Sequence, residues 1–184
     1  MSGASEVSAP RIAPGTRRDV GLVNWAVCVV LGRATGTGPP NVFTTLARHR
    51  GLFRGWLHFA GKMMPGGRLS RRETESVILR VAHTTGCEYE WQHHVALGRK
   101  AGVTDAEIER LRADVLDGWT GREAAILDAA DELLRTDDLS DGTWTALRRH
   151  LDEREAIELL LLVGHYRMLA TALVTLRVPL DDHG

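Results

Sequence analysis

The chain has 184 residues, a formal net charge of −1 and 43% hydrophobic residues. That length suits one domain with a sizeable core, and the near-zero charge gives no footprint for nucleic acid or an acidic membrane surface. Two cysteines, Cys28 and Cys87, are too few for a disulfide framework, so reduced thiols and a cytoplasmic location are expected.

Residues 1–16 are rich in Ser, Ala and Pro, lack a signal-peptide core, and read as a disordered arm ahead of one helical domain over 17–184. Residues 19–32 are apolar and helical, and a Gly/Pro/Thr-rich loop follows to Pro40. Asn41 is expected to cap a helix running to about Arg48. Residues 52–64 form the next, with Trp56, Phe59 and Met63 at helical spacing, and Pro65-Gly66-Gly67 breaks it.

Capping boxes then recur. Ser70 with Glu73, Thr85 with Glu88, Thr104 with Glu107, Thr120 with Glu123 and Asp152 with Glu155 each open a helix. A short helix over 143–150 precedes the long last one. No stretch alternates as a strand does, so the fold class is all-α. Residues 20–31 are too short to span a membrane. Residues 156–176 are long enough but carry Glu158, His165 and Arg167, and read as a helix buried in the core or at a subunit interface. Leu151-Asp152-Glu153-Arg154-Glu155 parallels Leu69-Ser70-Arg71-Arg72-Glu73, a faint sign of duplicated helical hairpins.

The chemistry concentrates in 69–94. If Thr85 caps the helix, Cys87 lies in its first turn, where free N–H groups and the dipole favour a thiolate. His94 lies two turns on, on the same face, with Trp91 between them to wall off water. Glu75 sits in an otherwise apolar helix and needs a partner, for which Arg80, five residues on, is an imperfect candidate. Tyr89 and Glu90 are further pocket or relay candidates, Glu90 being able to reach His93 or His94. Cys28 reads as inert core. His83, ending its helix, needs no role beyond the dipole. His58, His93, His165 and Tyr166 have no assignable role. Adjacent His93 and His94 point about 100° apart and cannot easily share an ion with Glu90, so neither metal nor cofactor is expected.

The run from Leu69 to His94 resembles the carboxymuconolactone decarboxylase and alkylhydroperoxidase D superfamily. The likeness extends through Pro40-Asn41-Val42-Phe43, Trp56 and Phe59, through 102–108, and through Val163-Gly164-His165-Tyr166 to Val178-Pro179-Leu180, about 17–182 in all. It implies a multi-helix bundle and a homotrimer or homohexamer. In the peroxidase branch a Glu precedes a Cys-x-x-Cys pair and a His follows. Glu75, Cys87 and His94 match three of these positions, while Glu90 stands where the second Cys, thought to attack peroxide, would be. The lactone decarboxylases manage without the pair and without metal, on a small cyclic acid. The Cys-Glu-Tyr-Glu-Trp version here looks like a third branch. Three functions follow as expectations: acid/base decarboxylation or rearrangement of a small organic acid, with catalytic Glu75, Cys87 and His94; thiol-dependent peroxide reduction at Cys87; or non-catalytic binding by an oligomer.

Overall fold

The computed structural model describes residues 9–35 and 38–181. Among them are ten helices and no strand, which makes the fold all-α. Two compact units separate, one of residues 1–54 with 172–184 and one of residues 55–171.

In the first unit, α1 (Arg17–Val20) and α2 (Leu22–Thr35) divide what the sequence suggested was one helix. Gly21 has φ +82°, a conformation a side chain resists, and the break falls there. Thr16 and Asp19 cap α1 reciprocally. Asn41 does not cap α3 (Asn41–Leu46): Pro40 holds that position, and the Asn41 amide donates to Pro179 O and Leu180 O, each at 3.2 Å. Of the expected arm, residues 1–8 lie outside the described residues. Residues 9–16 are tied down: Arg11 N–H donates to Leu176 O, Gly15 N–H to Thr44 O and Arg48 Nε to Ala13 O.

The second unit is built around α5 (Arg71–Thr84). Every residue from Thr74 to Ala82 is buried. A helix buried on all sides needs neighbours on all sides, and α6 (Glu88–Lys100), α7 (Asp105–Leu111) and α8 (Gly121–Thr136) pack on it. Leu79 and Ala82 meet Trp91, Val103, Ile108, Leu111 and Leu127 in the core. Gly98 lets α6 come close, since a Cβ there would stand 3.2 Å from Leu79 Cδ1. The helices α4 (Arg50–Met63), α9 (Asp141–Arg148) and α10 (Glu153–Leu176) complete the set.

By length and composition alone α10 could cross a membrane. Its polar residues nevertheless have protein partners. Glu158 accepts the backbone N–H groups of Arg68 and Leu69, Arg167 pairs with Asp137, and His165 stacks on Trp56.

The capping glutamates do more than cap. Arg72, in the first turn of α5, binds Glu107 of α7 (2.6 Å) and Glu123 of α8 (2.7 Å). Arg122, in the first turn of α8, binds Glu73 of α5 (2.6 Å) and Glu155 of α10 (2.9 Å). Two arginines therefore tie four helix starts, and α5 and α8 exchange partners reciprocally. The parallel seen between the starts of α5 and α10 survives as the same box, Ser70 with Glu73 and Asp152 with Glu155. Thr120 makes no side-chain cap for α8, and Glu123 is engaged by Arg72.

The lattice should fail in acid. The Arg72 guanidinium holds the Glu107 carboxyl down at about 2, and Glu155 is lowered chiefly by Arg122. A carboxyl with a depressed folded pKa adds stability above its unfolded value, about 4.3, and loses it as pH falls through the folded value. Melting temperature should drop between pH about 4.5 and 2. Arg72→Ala should flatten that limb, and a parallel pH profile in the variant would show the ion pairs to be idle.

Candidate functional site

Glu75 comes from the middle of α5 and is 0% exposed. Its Oε2 lies 2.6 Å from Nδ1 of His94 on α6. Its Oε1 lies 2.6 Å from Nη2 of Arg71, one turn earlier, as an ion pair rather than an aligned hydrogen bond. Arg80 is not the partner. It reaches Asp131 on α8 with Nε and Nη2, at 2.6 and 2.9 Å, and donates Nη1 to Leu111 O and Ala113 O. Five residues along a helix turn Arg80 away from Glu75, whereas the four from Arg71 bring it onto the same face.

With Nδ1 donating to Glu75, His94 keeps Nε2 as its basic nitrogen. The Tyr166 ring of α10 stands edge-on to the His94 ring at 5.2 Å. Burial pushes the Tyr166 hydroxyl well above its usual pKa, and the carboxyls of Glu75 and Glu90 add to that. Tyr166 thus lies within electrostatic reach of both acids.

Cys87 departs from expectation. Thr85 ends α5, its hydroxyl donating back to Val81 O, and does not cap α6. Gly86 turns the chain at φ +64°, and Cys87 itself is the residue before the first turn of α6. It is 1% exposed. Burial, then the Glu90 carboxyl, push its thiol up to about 12. The helix-start thiolate expected from the sequence is therefore disfavoured, because desolvation outweighs the backbone N–H groups aimed at the sulfur.

Glu90 is 2% exposed and neither carboxyl oxygen has an aligned hydrogen-bond donor. Burial raises its pKa to about 8, with the neighbouring Cys87 thiol working weakly the other way. Tyr89 stacks on His93 at 4.7 Å. Trp91 joins the core towards α7 and α8, with the Arg112 guanidinium 4.3 Å above its ring. Trp91 and Cys87 both line a cavity of ≈120 Å³ with His83, Gly86 and Arg112.

The structure thus brings Glu75 to His94 and Cys87 to Glu90, with Tyr166 in reach of both acids. One participant was missed and another was named but could not be placed. Arg71 carried a usable signal, its i, i+4 spacing to Glu75. Tyr166 carried none, because only packing brings α10 to α6. His165 beside it is buried between Trp56, Phe59 and Tyr166, and burial lowers its pKa to about 4. Cys28 is buried, with its thiol raised to about 11. Among the described residues no cluster of three or more His, Cys, Asp or Glu is arranged to hold a metal.

Residues 50–132 match the family model described as the carboxymuconolactone decarboxylase family. No curated protein sequence shows a significant match. Among solved structures, an uncharacterized peroxidase-related protein from Silicibacter sp. TM1040 superposes with TM-score 0.81 at 17% identity, covering 98% of this chain and 96% of that one. The alkylhydroperoxidase AhpD core of a peroxidase-related protein from Ralstonia eutropha JMP134 gives 0.80 at 19%, covering 95% of each. A variant of the debrominase Bmp8 in complex with 2,3,4-tribromopyrrole gives 0.78 at 15%, covering 93% of this chain and 91% of that one. These likenesses establish the fold.

Proposed function

We propose that this chain, a member of the carboxymuconolactone decarboxylase and alkylhydroperoxidase D-like superfamily, is an enzyme performing metal-free acid/base chemistry on a small organic acid. The reaction class is decarboxylation or rearrangement of a lactone or carbonyl compound. One observation carries the reading: a buried carboxylate clamped between a guanidinium and an imidazole, with Glu75 to His94 at 2.6 Å. The clamp fixes the ring and its tautomer. His94 Nε2 then takes or returns a proton, and Glu75 supports the imidazolium that forms. Tyr166 packs against the ring and helps exclude water.

Thiol-dependent peroxide reduction is the second reading, favoured by the peroxidase-related neighbours. It requires a thiolate at Cys87, and burial opposes that. To test the leading reading, the protein is incubated with a panel of small oxo acids and unsaturated lactone acids in D₂O. NMR follows carbon dioxide loss and deuterium uptake. Deuterium uptake or decarboxylation that disappears in His94→Ala supports it, and activity indifferent to His94 rejects it.

We place the enzyme in the cytoplasm as a homotrimer or homohexamer with no nucleic-acid or membrane partner. On α10, Ile157, Leu161 and Met168 are exposed, as are Leu22, Val23 and Val30 on α2. Apolar rows of this kind are covered in assemblies. Sedimentation velocity should show a trimer or its double at micromolar concentration, and a lone monomer would refute the assembly.

A further inference from the structure

Two carboxyl groups are buried in this site, and their surroundings oppose each other. Glu75 has a guanidinium on one oxygen and an imidazole on the other. Glu90 has neither. Both its oxygens are buried with no aligned hydrogen-bond donor, the Cys87 thiol being the one side chain close enough to hydrogen-bond towards them. The groups that act on it or share its field are the Cys87 thiol, three residues back at the cap of α6, and Tyr166 of α10, which also feels Glu75 and Arg71. None of the first two is a cation. An ionised carboxylate so placed is strongly disfavoured, and such groups keep their proton instead. Environments that drive two carboxyls apart in this way separate the acid of a site from its base.

We infer that Glu90 is the proton donor of this site, a neutral carboxylic acid beside Cys87 that serves small carbonyl acids reacting through an enolate. The inference rests on the acid/base reading above and gives it a second half. In a decarboxylation the substrate carboxylate leaves as carbon dioxide and its C–C bonding electrons pass into the enolate. The Glu90 O–H bond then breaks, its proton forms the new C–H bond, and the Glu90 carboxylate recovers a proton from solvent. In a rearrangement of an unsaturated acid His94 Nε2 takes a proton from carbon, Glu90 delivers one to the remote carbon of the dienolate, and the His94 imidazolium releases its proton to solvent as the Glu90 carboxylate recovers one. Cys87, protonated at neutral pH, neighbours the acid and does not act as a nucleophile. Burial keeps Glu90 protonated up to about pH 8, so the donor is present at neutral pH and lost on the alkaline side.

The test is an infrared difference titration of the full chain, with Glu90→Gln as control and oxaloacetate, a β-keto acid, as the turnover probe. A carboxylic acid band should persist at pH 7, vanish near pH 8 and be absent from Glu90→Gln. The Cys87 S–H band, assigned by its loss in Cys87→Ser, should shift in step. Glu90→Gln should lower kcat about 10²–10⁴-fold and remove the alkaline limb of the rate profile. A Glu90 carboxylate already ionised at pH 7 overturns the inference whether or not oxaloacetate turns over. So does full turnover in Glu90→Gln with the same alkaline limb; if His94→Ala is inactive in that assay, the reading itself stands. If His94→Ala turns over as wild type does while the Glu90 band titrates as stated, the reading fails and the stored proton remains.

Discussion

Asp131→Ala is expected to destabilise the protein by about 3–5 kcal/mol, towards the lower end because Asp131 is partly exposed. Arg80 is 4% exposed and pairs with Asp131, its other contacts being the carbonyls of Leu111 and Ala113. Removing Asp131 leaves a guanidinium in the core with two neutral acceptors. The pair's net worth against an apolar replacement is small, so Arg80→Met combined with Asp131→Ala should recover much of the loss. Urea unfolding reads both variants. A midpoint unchanged by Asp131→Ala would mean that water reaches Arg80 freely.

Glu75→Gln is expected to keep the fold and lower turnover about 10²–10⁴-fold. Glutamine matches the shape but brings no charge to Arg71 and no fixed acceptor for His94 Nδ1. Arg71 is half-exposed, so its guanidinium can turn to water and the stability cost stays modest. The kinetics of the purified variant on the substrate found by the D₂O screen test this. Wild-type rates in Glu75→Gln would reduce the clamp to a packing feature.

Helices were legible wherever their ends had chemistry. Ser70 with Glu73 and Thr104 with Glu107 form the boxes their spacing promised. Spacing cannot weigh competitors, however. Thr85 prefers the carbonyls of the helix it ends, and Thr120 makes no side-chain cap although its spacing to Glu123 is the same as in the boxes that form. Gly21 splits an apolar run whose composition looks continuous, because the break is a backbone angle rather than a polarity change.

In the site, Glu75 and His94 were legible from a lone carboxylate in an apolar helix and from the superfamily motif. Cys87 was legible as a position and misread as chemistry. The helix-start argument counts N–H groups and the dipole, but the net pKa depends on how much water the sulfur loses, which only packing reveals. Tyr166 lies 72 residues beyond His94 by subtraction of their positions, and no local pattern relates them.

On the proposed function, catalysis belongs to the Glu75–His94 pair rather than to the Cys87 thiol. The most direct measurement compares kcat/KM for Cys87→Ser and His94→Ala on one substrate, with peroxide consumption in added dithiothreitol measured on the same preparations. Cys87→Ser should keep much of the wild-type rate, His94→Ala should lose about 10²–10⁴-fold, and wild type should consume little peroxide. Robust peroxide consumption by wild type, abolished in Cys87→Ser, would contradict the proposed function.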